Sequence, residues 1–394
     1  MRTEKVPFER TDPMDVSIAK CTQYDYDACL AALRAVLEPV DGLGWVKPGM
    51  RIAVKANLVS MLRPEAAATT HPVLLCALSE LLRERGAAAV IGDSPGGLYN
   101  AAYLAGVYRA TGVAAAEQYG AVLNQDFSQA VGENPDAMVM KSFQYTAWLD
   151  ACDGIINFCK LKSHGMMCMS AAAKNLFGTI PGTMKPEYHF RYPNHMDFAR
   201  MIVDLAEYWK PQLSIVDAVV GMEGNGPTAG TPRPIGCLIA GTSPHRIDLV
   251  CARILGLDRA NIPTLQAALE RGLIPETVEE LEIAGNPDEF IVPDFARIET
   301  KSGILFQDSF PGPLKKIATP FMLRFIASRP RVQKPECIGC RKCAEICPAK
   351  AIVMKKRKPR IDRGACIRCF CCQEFCPKGA MKVSRPPLAR LLNK

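Results

Sequence analysis

Residues 51–97 read RIAVKANLVSMLRPEAAATTHPVLLCALSELLRERGAAAVIGDSPGG, in which two short apolar runs flank a helical repeat. Residues 51–55 and 87–91 have the length and composition of buried strands. Between them, leucines recur at helical spacing after Thr70, a candidate helix cap, and the repeat stops at Gly86. A strand, a helix and a second strand in this order form a right-handed βαβ unit with parallel strands. The segment therefore predicts an open α/β sheet.

The same alternation continues towards the C-terminus. Residues 153–158 and 213–216 are apolar runs separated by an amphipathic helical pattern that ends before Pro211, and residues 235–240 predict a further strand. Strands that alternate with helices favour parallel pairing. We therefore predict that residues 1–310 form an α/β body with a mostly parallel sheet and βαβ units.

The glycine-rich segment GMEGNGPTAG, residues 221–230, does not match a dinucleotide-binding fingerprint. Such a fingerprint opens a helix after a strand, whereas prolines here lead into another strand. We recognise no NAD or flavin motif in the sequence. Electrons for a redox reaction are therefore expected to arrive from another protein.

Charge and cysteine are distributed unevenly along the 394 residues. Residues 311–394 hold 21 Lys and Arg against 4 Asp and Glu, whereas residues 1–310 hold 27 against 36. Of 17 cysteines, nine lie between Cys337 and Cys376. The odd total and the scattered positions of the remaining thiols argue against a disulfide framework and favour a reducing, cytoplasmic location. The N-terminus has no apolar signal segment, and no apolar run approaches about 18 residues, which argues against export and against a membrane span.

Two cysteine runs in the basic part share the spacing C-x2-C-x2-C-x3-C-P and begin at Cys337 and Cys366. In the bacterial iron–sulfur pattern, three thiolates of each run hold one [4Fe-4S] cluster and the fourth holds the other cluster. Structural zinc more often uses two separated C-x2-C pairs. The predicted ligands are Cys337, Cys340, Cys343 and Cys376 for one cluster, and Cys347, Cys366, Cys369 and Cys372 for the second.

This two-run module resembles the two-cluster bacterial ferredoxins over about residues 331–384, and it leaves Cys371 as a bystander. Residues 349–354 and 358–362 predict two short strands, so the module is a small α+β domain. An amphipathic repeat at 314–326 favours a linker helix packed between domains over a membrane contact. The predicted units are an α/β body at 1–310, a linker helix at 311–330, and a cluster domain with a basic tail at 331–394.

Several segments of the body resemble the DUF362 family. They are VKANLVS (54–60) with TTHP (69–72), IGDSPGG (91–97), INFCKLKSH (156–164), AAKNLFGTIPG (172–182), VDAVVGMEGNGPTAG (216–230) and SPHRIDLVCARILG (243–256). The resemblance spans about residues 50–300 and implies fusion to a ferredoxin-type module, as the cysteine runs indicate here. The family is uncharacterised, so it implies no reaction.

Polar residues follow the predicted strands, and we expect them to line one cleft at the sheet edge where open α/β sheets bind ligands. Lys, His and Asn together suit an anion, a carboxylate or a phosphate, whose oxygens accept charge-assisted hydrogen bonds. We expect His164 to move protons with a pKa near neutrality, and the amides of residues 92–97 are a weaker candidate anion cradle. The acidic residues also suit general acids, ligands of a hard cation, or helix caps. The candidate catalytic residues are Lys160, Lys162, His164, Lys174 and Asp217, and the candidate substrate-binding residues are Lys55, Asn57, Asp93, Ser94, Asn175, Glu223 and Asp248.

These features favour an iron–sulfur redox protein, a ferredoxin-coupled oxidoreductase whose two [4Fe-4S] clusters pass electrons to an anionic substrate or cofactor at the strand ends. One alternative is an electron carrier that docks a partner without its own catalysis. Another is non-redox Lys, Asp and His chemistry with structural clusters, since the βαβ part is also similar in pattern to lactate-racemase-like proteins. The basic module favours an acidic ferredoxin or flavodoxin as partner. Nucleic acid is disfavoured, because the basic run 355–358 has no stacking aromatics beside it.

Overall fold

The computed structural model describes residues 14–296 and 329–384. The strands of the N-terminal body are β1 (Val16–Lys20), β2 (Arg51–Lys55), β3 (Ala88–Gly92), β4 (Val122–Leu123), β5 (Gln129–Glu133), β6 (Ser142–Thr146), β7 (Gly154–His164), β8 (Cys168–Ser170), β9 (Leu213–Glu223), β10 (Thr231–Gly241) and β11 (Ile283–Ala284). Its helices are α1 (Tyr26–Leu37), α2 (Pro72–Glu84), α3 (Ala101–Thr111), α4 (Ala172–Asn175), α5 (Lys185–Arg191), α6 (His195–Trp209), α7 (Pro244–Ile254) and α8 (Pro263–Glu270).

A nine-stranded mixed sheet forms the centre of the body, with the order β11-β1-β10-β9-β7-β2-β3-β4 and β8 paired to β7. The run from β9 to β4 is parallel throughout, while β10 pairs antiparallel with both β9 and β1. The predicted βαβ unit is confirmed, because β2 and β3 pair in parallel from Arg51 and Ala88 to Lys55 and Gly92. The predicted α/β class with a mostly parallel sheet is therefore confirmed.

Two apolar cores lie on opposite faces of the sheet. One contains the buried faces of α1, α2 and α3, and the other contains those of α6, α7 and α8 together with the short α4. Burial of these faces is the main favourable contribution to folding. The predicted cap of α2 is corrected by one residue. His71 caps this helix, while Thr70 Oγ1 donates to Phe158 O at 2.8 Å.

Strand β7 is longer than the sequence predicts. All eleven of its residues are buried, including Lys160, Lys162 and His164. These polar residues suggested the end of a strand, but buried partners in the tertiary structure let the strand continue. Strand β9 is longer as well, and residues 224–230 connect it to β10. The glycine-rich segment is therefore a strand connection, which agrees with the rejection of a nucleotide fingerprint.

The cluster module contains β12 (Arg329–Val332), α9 (Lys342–Glu345), β13 (Ile352–Lys355), β14 (Lys358–Ile361), α10 (Cys371–Glu374) and β15 (Met381–Ser384). Strands β12 and β15 pair antiparallel, as do β13 and β14. The latter pair confirms the two predicted short strands, and the module is a small α+β unit. The predicted linker helix at 314–326 lies outside the described residues. Within the described ranges, no helix combines the length and apolarity needed to cross a membrane.

Candidate functional site

A cavity of about 70 Å³ lies at the carboxyl ends of β2, β3 and β7. Its walls come from the loops after β2 and β3, from the end of β7, from α4 and α5, and from α10 of the cluster module. We call it the inner cavity. Its polar lining residues are Lys55, Asn57, Asp93, Ser94, Lys162, His164, Ser170, Lys174, Asn175, Lys185 and Glu374. Eight of these belong to the set predicted from sequence.

Lys55 and Asp93 form a buried ion pair on one wall of the inner cavity, with Lys55 Nζ 2.6 Å from Asp93 Oδ1. Lys55 Nζ also donates to Ala56 O at 2.7 Å. The other oxygen of Asp93 accepts from Leu58 N at 2.7 Å, so the carboxylate orders the loop after β2. At Gly178, a Cβ atom would lie 2.4 Å from both Lys55 Nζ and Asp93 Oδ1. Glycine is therefore required at position 178 for the turn after α4 to approach the ion pair.

Helix α4 is held at the cavity by Asp248 of α7. Asp248 Oδ1 accepts from Ala172 N at 2.6 Å, and Oδ2 accepts from Ala173 N at 3.2 Å. Burial raises the pKa of Asp248 to about 7, although these two hydrogen bonds oppose the shift. Asn175 of α4 accepts at Oδ1 from Asn57 Nδ2 at 2.8 Å. Asp248 does not line the cavity, so its predicted substrate-binding role is corrected to that of a positioning residue for α4.

Lys162 is a buried amine at the centre of the site. Its Nζ donates to Asn57 Oδ1 at 2.9 Å and to Ala68 O at 2.7 Å, which are both neutral oxygens. Burial, together with the charge of Lys174, lowers the pKa of Lys162 to about 7. An amine with this pKa can bind an anion when it is protonated and can also transfer a proton near neutral pH.

Two more lysines, Lys174 and Lys185, line the inner cavity. Lys174 Nζ lies over the ring of Phe177, 5.2 Å from its centroid, and Lys185 Nζ donates to Ser94 O. Burial lowers the pKa of both lysines, and it lowers that of Lys185 to about 7. Lys185 is not among the residues predicted from the sequence. It belongs to a short helix rather than to a strand end, and no motif marks it.

His164 is held in one tautomer by the backbone. Its Nδ1 accepts from Met166 N at 3.0 Å and from Met167 N at 3.1 Å, so the ring proton is assigned to Nε2. Burial, together with the charge of Lys174, lowers the pKa of His164 to about 4. Protonation at Nδ1 would also break both backbone hydrogen bonds. The predicted proton transfer by His164 near neutral pH is therefore corrected, because the ring stays neutral and can only donate from Nε2.

Glu374 brings the cluster module into the cavity. Its Oε1 lies 3.0 Å from His164 Nε2, and neither atom has another hydrogen-bond partner among the described residues. Burial alone would raise the pKa of Glu374, but contact with His164 and the charge of Lys174 hold it below its usual range. The neighbouring Phe375 also lines the cavity. Neither residue is marked as functional by the sequence, because both stand between the cysteines of a run, where side chains act as spacers.

Lys160 and Asp217 belong to a different buried cluster. Lys160 Nζ lies 2.9 Å from Asp217 Oδ2 and donates to Tyr24 OH at 2.6 Å. Tyr24 OH donates to Asp217 Oδ1 at 2.8 Å, and its ring stacks on that of His71 at 3.6 Å. The register between β7 and β9 shifts directly after the pair of Lys160 and Asp217. Neither residue lines the inner cavity, so the prediction that they share one cleft with Lys162 is wrong.

Glu223 and the loop at 92–97 also differ from expectation. Glu223 Oε2 accepts from Ala296 N at 3.0 Å, and the residue does not line the inner cavity, so its predicted substrate-binding position is wrong. Ser94 N donates to Gly178 O at 3.2 Å, which occupies an amide of the candidate anion cradle. Ser94 itself lines the cavity, and its buried Oγ has no hydrogen-bond partner in the described part of the chain.

The cluster module brings together the four thiols that were predicted to hold one of the clusters. A small cavity is lined by Cys337, Cys340 and Cys343 of the first run and by Cys376 of the second. Burial, together with the charges of the neighbouring Cys376, Cys340 and Cys337, raises the pKa of Cys343 to about 11. The residues therefore fit a cluster with an exchanged fourth ligand. Within the described ranges, no three His, Cys, Asp or Glu side chains converge on a single-ion site.

The second run is adapted to contact the body. Gln373 Nε2 donates to Asn225 O, Asn225 Oδ1 and Gly226 O at 3.2, 3.0 and 2.8 Å, whereas Ala344 stands at the equivalent position of the first run. Phe370 is buried in the core of the body. Cys340 of the first run, by contrast, is exposed. The module therefore presents its second run to the inner cavity and Cys340 of its first run to solvent.

The fold and the thiol arrangement define an iron–sulfur electron-transfer protein built on an α/β body. A family model for a domain of unknown function, DUF362, matches residues 52–253, and a model for a 4Fe-4S dicluster domain matches residues 336–380. The chain belongs to the DUF362 family.

Two further comparisons give a relative and a solved structure. The chain is 34% identical over 321 residues to a thylakoid-associated protein of Synechocystis sp., with 79% of this chain and 95% of that protein covered. It is also similar to the lactate racemase apoprotein from Thermoanaerobacterium thermosaccharolyticum, at 13% identity and a TM-score of 0.35, with 60% of this chain and 55% of that chain covered. Neither likeness identifies a substrate.

Proposed function

We propose that this protein is an oxidoreductase in which two [4Fe-4S] clusters deliver electrons to an anionic substrate or cofactor in the inner cavity. One observation carries the proposal. Glu374 and Phe375, which stand between the predicted cluster ligands Cys372 and Cys376, line the same cavity as Lys162. A bound molecule would therefore contact the segment that connects ligands of both clusters. The clusters, when bound, supply electrons one at a time.

The charge of the inner cavity supports an anion. Four lysines line it against two carboxylates, Asp93 and Glu374. The orphan Oγ of Ser94 is a buried polar group that a ligand oxygen would satisfy. The amines of Lys162 and Lys185 have pKa values of about 7, so they can supply protons to a substrate that gains electrons. His164 keeps its proton on Nε2 and positions Glu374.

Replacing Lys162 by methionine should weaken binding of small carboxylates and of inorganic phosphate about tenfold or more, because a buried charged donor is lost. The measurement is isothermal titration of the cluster-loaded protein. Lys47→Met, at an exposed lysine remote from the cavity, is the matched control and should bind as the parent does. Equal affinity in both variants would show that the anion binds elsewhere.

Binding of small carboxylates, whose own charge is constant near neutral pH, should weaken as pH rises through 7. The protonated amine of Lys162 attracts the anion and the neutral amine does not, so for a pKa of about 7 the affinity should fall about tenfold between about pH 6 and about pH 8. Lys185 adds to this dependence. Titrations across this range test the prediction, and Lys162→Met should flatten the profile. Affinity that rises with pH would contradict it.

We further propose that an acidic ferredoxin or flavodoxin donates electrons at the exposed face of the module. This face carries Arg341 directly after the exposed Cys340, and Gly339 lies against the basic turn at 355–358 through Arg357. Positive charge around an exposed ligand steers an acidic partner. A reducing cytoplasm suits electron transfer between these two proteins, because none of the 17 cysteines is disulfide-bonded.

Electrostatic docking makes the rate of reduction dependent on salt. The second-order rate of cluster reduction by an acidic ferredoxin should fall about tenfold or more from about 50 to about 500 mM salt, because screening removes the attraction. Stopped-flow absorbance measures the rate. Reduction by a small uncharged reductant is the control and should hardly change. A rate that is insensitive to salt would argue against a basic docking face.

A further inference from the structure

A second and larger space lies outside the inner cavity, between the body and the cluster module. We call this space, of about 930 Å³, the outer cleft. It adjoins the inner cavity, because Gly96, Glu374 and Phe375 line both. The Phe375 ring lies so close to the loop after β3 that a Cβ on Gly96 would be 2.9 Å from its Cζ atom. Phe375 is thus the partition between the two spaces.

The inner cavity and the outer cleft differ in size, so they suit different parts of one ligand. Pockets for small organic molecules usually measure about 300–1,000 Å³. The inner cavity, at about 70 Å³, has room only for a small group such as a carboxylate. The outer cleft, at about 930 Å³, has the size needed for the rest of an organic substrate.

The walls of the outer cleft combine apolar side chains with positive charge. Leu98, Tyr103, Ile346 and Phe375 are apolar or aromatic, and the glycine backbone at 96–97 leaves a surface without side chains. Leu98 is 57% exposed, so a large apolar side chain is available to a ligand. Tyr103 is fixed, because its OH donates to Gly96 O at 2.9 Å. Aromatic walls of this kind favour a ring, which gains both burial and stacking.

The charged residues of the cleft match the charge of the inner cavity. Three lysines, Lys342, Lys378 and Lys382, line it against Glu345 and Glu374. An excess of positive charge along the cleft attracts an organic anion and leads it towards the lysines of the inner cavity. Cys376, a predicted cluster ligand, lines the same cleft, so a ligand there lies beside the cluster module.

We propose that the outer cleft binds the aromatic part of a carboxylic acid whose carboxylate enters the inner cavity past Phe375. The inference rests on the proposed function, since it names the class of substrate for the same site. The ring packs against Leu98, Tyr103 and Phe375, and the carboxylate accepts hydrogen bonds from Lys162 and from the orphan Ser94 Oγ.

The test compares two probes that differ only in a phenyl ring, propionate and 3-phenylpropionate, by isothermal titration of the cluster-loaded protein. We expect 3-phenylpropionate to bind at least about tenfold more tightly, as burial of an aromatic ring predicts. The Lys162→Met variant should bind both probes more weakly. Equal affinity for the two probes would overturn the inference.

Variants at exposed positions locate the ring. Leu98→Ser should reduce the advantage of 3-phenylpropionate at least about threefold and leave propionate unchanged, because it removes apolar contact area without a charge change. Val131→Ser, at an exposed valine outside the cleft, is the matched control and should keep the full advantage. An advantage that survives Leu98→Ser would place the ring elsewhere and overturn the inference.

The inference and the proposed function fail in different ways. Reoxidation of the dithionite-reduced clusters by unsaturated aromatic acids, such as cinnamate, reports electron transfer separately from binding. A phenyl advantage without reoxidation by any acid would contradict the proposed function and leave the aromatic site standing. Propionate binding that depends on Lys162, without a phenyl advantage, would contradict the aromatic site alone.

Discussion

Replacing Cys376 by serine should remove about half of the iron, from about eight to about four atoms per chain, although Cys376 belongs to the second cysteine run. The reason is the exchange of fourth ligands. Cys376 lines one small cavity with Cys337, Cys340 and Cys343 of the first run. Loss of its thiolate leaves that cluster with three ligands, while the second cluster keeps all four. Iron analysis after anaerobic purification, with the EPR spectrum of the reduced protein, measures the result.

The sequence offers two informative comparisons for this variant. Cys371 is a buried thiol next to Cys372, and it belongs to neither predicted ligand set. The Cys371→Ser variant should therefore keep all the iron. Cys347→Ser should remove the other cluster, because Cys347 occupies the equivalent exchanged position. Full iron content in Cys376→Ser, equal losses in Cys371→Ser, or zinc in place of iron would contradict the two-cluster assignment.

Asp93→Ala should destabilise the body by about 3–5 kcal/mol, because it leaves the ammonium group of Lys55 buried without its counter-ion. Lys55 and Asp93 are 1% and 3% exposed, and their charged atoms are 2.6 Å apart. The substitution also removes the acceptor of Leu58 N. Urea unfolding of the cluster-loaded protein, followed by the circular dichroism of the body, measures the change in free energy.

A surface pair provides the matched control for this prediction. Arg34 and Glu84 form an ion pair whose side chains are 52% and 40% exposed. Glu84→Ala should therefore cost about 0–1 kcal/mol, since water solvates the remaining charge. The double variant Lys55→Met with Asp93→Leu should recover part of the stability lost in Asp93→Ala, because it buries no unpaired charge. A cost for Asp93→Ala no larger than that for Glu84→Ala would show that Lys55 finds another partner.

Local patterns predicted much of the fold. The leucine repeat between two apolar runs predicted β2, α2 and β3 with their parallel pairing. The cysteine spacing predicted that Cys376 joins the thiols of the first run, and these thiols line one small cavity together. The predicted strand ends at residue 158, whereas β7 continues to His164. The local sequence pattern predicts that Lys160 and Lys162 are exposed to solvent. Only long-range partners such as Asp217 make their burial favourable.

The membership of the site was less predictable than its position. Lys160 and Lys162 are two residues apart and chemically identical, yet one pairs with Asp217 and the other lines the inner cavity. A register shift between β7 and β9 separates them, and no property of either lysine encodes it. The sheet edge itself was predicted, because parallel strands bring their carboxyl ends together.

The α/β class, the βαβ unit, the edge of the sheet that carries polar residues and the cluster-binding pattern of the thiols follow from local sequence, because each depends on periodicity or on neighbours within a few residues. Long-range packing brings Glu374, Phe375 and Lys185 to the inner cavity and places the outer cleft beside it. His164 and Glu374 are 210 positions apart in the sequence. Their contact depends on how two separately patterned units pack together, and local sequence spacing carries no information about that packing.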